Sequence, residues 1–231
     1  MATFSDDFNR ADGALGSNWA QAAAQEIISN EVGRATAANS AARWVTDANT
    51  DAEFSQVTYT ATAAGVSVFV GPAIRMATFV SGSPSAQGEW FVLFVSGTTM
   101  NTVSIRRKDN LVGTSTTLAT ATFTVALGDV LRLEVDGADL VGKINGTERI
   151  RHASYTPLTN GGRGTGFHFG SSNIAPRFDN WSGGDTAAPT VPGTVTNLAG
   201  TAGNAQVPLT WTAPADGGSA ISDYIVQFRP S

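Results

Sequence analysis

The stretch LRLEVDGADLVGKINGTERIRH, residues 131–152, constrains the fold more than any other part of the chain. Asp136-Gly137 and Asn145-Gly146 each stand between two strand-like runs, and both pairs tolerate the positive φ angles of tight hairpins. A three-stranded antiparallel meander is the expected result. In its first strand Leu131, Leu133 and Val135 face one way and Arg132 and Glu134 the other, as in a sheet with one buried face.

Similar short runs of Val, Ile, Phe and Thr recur along the chain. They span Phe54 to Thr62, Val66 to Met76, Trp90 to Val95, Thr102 to Arg107, Thr122 to Val125 and Phe167 to Phe169. Strands at this density, separated by turn residues, predict a sandwich or barrel. Helix signals are nearly missing. The Ala-rich stretch WAQAAAQEIISNEVGRATAANSAARW is broken by Ser29, Asn30 and Gly33 and has no apolar stripe at helical spacing, so it is read as strands and loops. A final strand, Arg177-Phe178-Asp179-Asn180-Trp181, follows a Gly-rich segment. Gly161, Gly162, Gly164 and Gly166 fit neither the dinucleotide spacing nor a Gly-Lys-Ser/Thr ending, so that segment is not a phosphate loop.

Hydrophobic residues form 42% of the 231 and charged residues 14%, enough apolar material for a core and too little charge for a disordered chain. Cysteine is absent, so packing rather than disulfides must stabilise the fold. The net charge of −5 comes from scattered acids. The one dense basic run, Arg106-Arg107-Lys108, is expected to be a solvated hairpin end and is closed by Asp109, so no nucleic-acid partner is expected. No stretch approaches the roughly 18 apolar residues of a membrane span, and the opening MATFSDDFNRADG lacks the pattern of a secretory signal. A β-protein working outside a cell would then need another exit, such as assembly in host cytoplasm and release by lysis.

Composition changes after Gly183-Gly184-Asp185. Pro189 and Pro192 mark a stiff connection over residues 186–193, which sets the expected boundary between a large domain, 1–185, and a small one, 194–231. In the latter, VTNLAG, VPLTWTAP and SDYIVQF read as three strands, with Trp211 suited to a small core. Three strands cannot close a sandwich, which needs about seven.

Several segments together resemble the concanavalin A-like lectin and glucanase superfamily, laminin-G-like modules included: FSDDFNRADGALGSNW, AGVSVFVGPAIRMA, LRLEVDGADLVGKING and RFDNWSGG. That resemblance implies a two-sheet antiparallel jelly-roll sandwich with first and last strands side by side. Residues 193–231 resemble the first half of a fibronectin type III domain, with Trp211 on the second strand and Tyr224-Ile225-Val226 on the third. The combination is similar to minor tail or surface proteins of tailed phages. It implies a virion structural protein, oligomeric and in contact with other virion proteins and with host surface glycans. The alternative is a carbohydrate-binding module of a bacterial glycan-degrading enzyme, and a glucanase is the less favoured third.

Glucanases of that superfamily carry Glu-x-Asp-x-(x)-Glu on one strand, so that alternate carboxylates reach one face. Glu134-Val135-Asp136-Gly137-Ala138-Asp139 comes close, but Asp136 falls in a hairpin turn and the last acid is Asp, so no enzyme is expected. His152 and His168 have no nucleophile motif beside them and are read as strand residues, with no metal or cofactor expected. Asp6 or Asp7 could meet Asp179 around calcium, as in some superfamily members, or these acids could fix turns. Glycan binding needs an accessible aromatic face with amide or carboxylate partners nearby. Trp19, Trp181 and Trp211 fall in structural motifs, which leaves Trp44 and Trp90 as the candidate glycan contacts.

Overall fold

The computed structural model describes residues 2–21, 26–28, 33–35, 40–61, 70–79, 88–96, 99–109, 114–159, 161–170, 177–186, 192–215, 221 and 223–227. All its regular elements among those residues are strands. In chain order they begin β1 (Thr3–Asp6), β2 (Gly13–Ala14), β3 (Trp19–Gln21), β4 (Glu26–Ile28), β5 (Gly33–Ala35) and β6 (Ser40–Trp44). Next come β7 (Glu53–Ala61), β8 (Val70–Met76), β9 (Trp90–Ser96), β10 (Thr102–Lys108), β11 (Ser115–Thr122) and β12 (Val130–Asp136). The series ends with β13 (Asp139–Ile144), β14 (Thr147–His152), β15 (Gly164–Phe169), β16 (Arg177–Asp185), β17 (Thr196–Gly200) and β18 (Leu209–Thr212). The chain divides into two compact units, Met1–Thr186 and Ala187–Ser231.

The first unit holds two antiparallel sheets. Sheet A runs β14-β13-β12-β7-β16-β5-β4-β2, with β1 also paired to β16, and sheet B runs β11-β10-β9-β8-β15-β6-β3. The expected meander forms β12, β13 and β14 at one edge of sheet A, turning at Gly137 (φ 61°) and at Asn145 and Gly146 (φ 52° and 76°). First and last strands lie side by side: Thr3 faces Gly184 and Asp6 faces Trp181. Asp185 ties this edge down, since its carboxylate accepts the backbone N–H of Ala2 at 2.6 Å and of Thr50 at 2.8 Å.

Period-two patterning explains what lies between the sheets. Leu131, Leu133 and Val135 from sheet A meet Phe91, Leu93 and Val95 from sheet B, together with Phe167, Phe169 and Phe178. Each such side chain contributes about 1.5–3 kcal/mol through burial. The odd residues of β9 thus build the core, while Trp90, Val92 and Phe94 turn to the opposite face of sheet B. There they join Ala41, Ala73, Met76 and Phe79 in a second buried apolar layer. Packing is close enough in sheet B that Gly166 admits no side chain: a Cβ there would lie 2.0 Å from the Ala42 carbonyl oxygen.

Three expectations are corrected. The strand expected at Thr122 to Val125 lies earlier, as β11; it is the Thr-rich edge of sheet B, largely exposed, and has no buried alternation to reveal it. Arg106-Arg107-Lys108 does end β10 where it pairs with the start of β11, but it is not the solvated end of an exposed strand, because β10 lies between β9 and β11. Lys108 is buried, the Arg106 guanidinium sits 5.9 Å from the Phe94 ring, and Arg107 pairs with Glu89. In the second unit β17 and β18 form a hairpin turned through Gly203 and Gln206, but Asp223–Gln227, expected as a third strand, is not in a ladder among the described residues. Trp211 is partly exposed there and packs on Tyr224, ring centroids 5.2 Å apart.

Candidate functional site

The segment after β1 folds back on itself because Asp6 is a multiple acceptor. Its Oδ1 takes the Phe8 N–H at 2.8 Å, a local turn that accompanies φ 53° at Phe8. The Arg10 guanidinium bonds both carboxylate oxygens, at 2.6 and 2.9 Å, and the Trp19 indole Nε1 donates to Oδ2 at 2.7 Å. Arg10 also donates to the Leu15 carbonyl, which fixes the loop before β3. Burial by itself would raise the Asp6 pKa. The bonds from Arg10, Trp19 and the Phe8 N–H outweigh it and hold the carboxyl below its usual range.

Trp19 faces Trp44 across the β3–β6 ladder, ring centroids 5.3 Å apart and nearly perpendicular. Trp44 in turn stacks on Trp181 of β16 at 5.2 Å and on Phe4 of β1 at 5.9 Å. Beside Trp181 the β7–β16 pairing slips between Asp179 and Ser182, and Asn180 (φ 50°) projects from this bulge into solvent. Bulge, Asp6 turn and the Gly16–Asn18 turn enclose an open cleft of about 700 Å³, with Trp44 and Trp181 in its wall and Asp7, Asn18 and Asn180 around it.

The two candidate tryptophans part company. Trp44 is half-buried and lines this cleft. Trp90 is wholly buried between Phe79 and His168, so its ring face has no room for a sugar. The acid motif is tied up in ion pairs. Glu134 is buried under Arg132 and Lys143, Asp136 meets Arg151 at 3.0 Å, and Asp139 meets the same arginine at 2.8 Å. The Arg132 guanidinium also covers the Phe54 ring at 3.7 Å. His152 is half-buried at the end of β14. His168 is fully buried, and its two ring nitrogens have no partner among the described residues.

Of the acids considered for calcium, Asp7 accepts the Asn9 N–H at 3.1 Å and Asp179 the Asn180 N–H at 2.7 Å, the turn-fixing alternative in each case. No group of three or more His, Cys, Asp or Glu that could hold a metal ion occurs among the described residues. The turn-fixing alternative offered for Asp6 is the role it has here, whereas the roles of Arg10, Asn18 and Asn180 escaped the sequence reading. Only the closeness of Asp6, Asp7 and Arg10 hinted at a charged turn, and nothing local announced that β16 would carry Asn180 to it.

No family model matches the chain, and no curated protein matches it in sequence. Solved structures do match in fold. The carbohydrate binding module CBM66 from Bacillus subtilis superposes with a TM-score of 0.54 at 11% identity, covering 73% of this chain and 96% of that one. The exoplasmic/lumenal domain of VIP36, in its Ca2+/Man3GlcNAc-bound form, gives 0.53 at 12% identity over 75% and 86%. A prokaryotic β-1,3-1,4-glucanase (lichenase) derived from a mouse hindgut metagenome gives 0.50 at 13% identity over 80% and 99%. At such identities the likeness is one of fold. The chain therefore has the antiparallel jelly-roll sandwich found in lectin-like domains, carbohydrate-binding modules and glucanases.

Proposed function

We propose that the first unit is a non-catalytic carbohydrate-binding module whose ligand sits in the cleft beside Trp44. The observation that carries this reading is the pairing of a half-buried tryptophan with the side chains of Asn18, Asn180 and Asp7 around one open cleft. Apolar sugar faces pack on aromatic surface and sugar hydroxyls exchange hydrogen bonds with amides and carboxylates, the mix this cleft offers. The carbohydrate-binding and lectin-like neighbours support the same reading. Against hydrolysis stands the ion pairing of Glu134, Asp136 and Asp139, which leaves that series no acid–base couple facing a groove.

A glycan array probed with the full chain tests the proposal, followed by incubation with each bound oligosaccharide. Binding with the oligosaccharide recovered intact is the expected result. Shortened products would replace the module with an enzyme. Display on a virion rests on the sequence resemblance alone, and the neighbours above include no virion protein. Mass spectrometry of purified particles tests that placement.

A further inference from the structure

We propose that the ligand of this cleft is an uncharged saccharide, held through its hydroxyls by Asp7, Asn18 and Asn180, and that anionic glycans are excluded. The inference rests on the carbohydrate reading above and adds the ligand's charge class to it. Three charged side chains line the cleft among the described residues: Asp6, Asp7 and Arg10. An anionic sugar, uronate or sulfate, needs a cation whose charge no internal carboxylate already matches. Arg10 is the only cation lining the cleft among the described residues, and its charge is already matched: its guanidinium brackets both Asp6 oxygens and donates to the Leu15 carbonyl. With that pair neutralised internally, Asp7 leaves the cleft net negative.

Asp7 is exposed, and its Oδ1 takes the Asn9 N–H while Oδ2 has no partner among the described residues. A carboxylate is acceptor-only, so it takes up the O–H donors of a sugar and repels a second anion. The side-chain amides of Asn18 and Asn180, also exposed and without partners among the described residues, offer both donors and acceptors. Carboxylate and amides thus match hydroxyl groups and leave a negatively charged substituent unpaired beside Asp7.

Calorimetric titration of the full chain tests this with two sets of probes, neutral β-glucan and mannan oligosaccharides against oligogalacturonate and heparin oligosaccharides. Binding confined to the neutral set is expected. Asp7→Asn should weaken it about tenfold, as for loss of a hydrogen bond to a charged group, and Asp7→Arg should admit heparin oligosaccharide. Asp7 is exposed, so both variants should melt like the wild type. Equal or tighter binding of the anionic set, or an unchanged neutral affinity in Asp7→Asn, overturns the charge assignment and leaves carbohydrate binding standing. A chain that binds neither set overturns the carbohydrate reading itself.

Discussion

The indole N–H of Trp19 donates to Oδ2 of Asp6 at 2.7 Å, joining the turn after the first strand to the aromatic cluster that ends at the cleft. Trp19 is otherwise packed in the core against Phe167 and Trp181, so the bond fixes a polar turn directly onto buried surface. Asp6→Ala should therefore lower stability by about 1–3 kcal/mol, since it strands the Trp19 N–H and uncouples Arg10. Because the folded carboxyl is held below the ordinary aspartate range, its contribution is complete above that range and is lost as pH falls through the folded value. Chemical denaturation at pH 7 and pH 2 checks both points: the gap between wild type and variant should shrink at pH 2.

His168 gives a second acid-sensitive position. Its imidazole is fully buried between the rings of Trp90 and Phe94, and burial, then the nearby Lys108 charge, depress its pKa to about 3. The unfolded chain binds a proton that the folded one refuses, so stability is full above the ordinary histidine value and falls as pH drops from about 6.5 toward 3, by up to about 1.4 kcal/mol per pH unit. His168→Leu should flatten that limb of the wild-type curve. Parallel pH dependences for the two proteins would show that the imidazole is not held neutral.

Glu53 should behave in the opposite sense. It is wholly buried, and burial raises its pKa well above normal even though Arg75 lies close and donates its backbone N–H at 2.6 Å. A raised carboxyl favours the fold at low pH and loses that advantage as pH rises through the folded value. Glu53→Gln keeps an acceptor for the Arg75 N–H and abolishes the ionisation. It should gain stability relative to wild type at pH 7 compared with pH 4, measured by melting temperature; a larger loss at pH 7 would contradict the assignment.

Gly166 tests the packing of sheet B. A methyl group there would meet the Ala42 carbonyl at 2.0 Å, and a carbonyl within a strand ladder cannot turn aside. Gly166→Ala should cost about 3 kcal/mol or leave the protein insoluble. A variant melting within a few degrees of wild type would show that β15 and β6 lie further apart than described.

The parts of this fold legible in the sequence were those decided locally. Asp136-Gly137 and Asn145-Gly146 fix their own hairpins, and alternation along Leu131 to Val135 names its own buried face. Pairing between the ends of the chain came from resemblance, and the structure bears it out in the β1–β16 ladder. What stayed hidden depended on residues distant in sequence. Trp90 and Trp44 look alike as isolated aromatics near strand ends. One is sealed into the second apolar layer and the other opens onto a cleft because of neighbours contributed by β15 and β16. The charge run at Arg106 misled for the same reason: basic side chains on an inner strand can set their charged groups over aromatic rings, which a reading of solvated strand ends does not anticipate.

The central claim, a glycan seated beside Trp44, is tested most directly by following the five tryptophan indole N–H resonances of the wild-type chain during titration with an array-selected oligosaccharide. The account predicts the largest shift at Trp44, a smaller one at its stacking partner Trp181, and none at Trp90 or Trp211. A stationary Trp44 while Trp90 or Trp211 moves would place the ligand elsewhere and contradict the account.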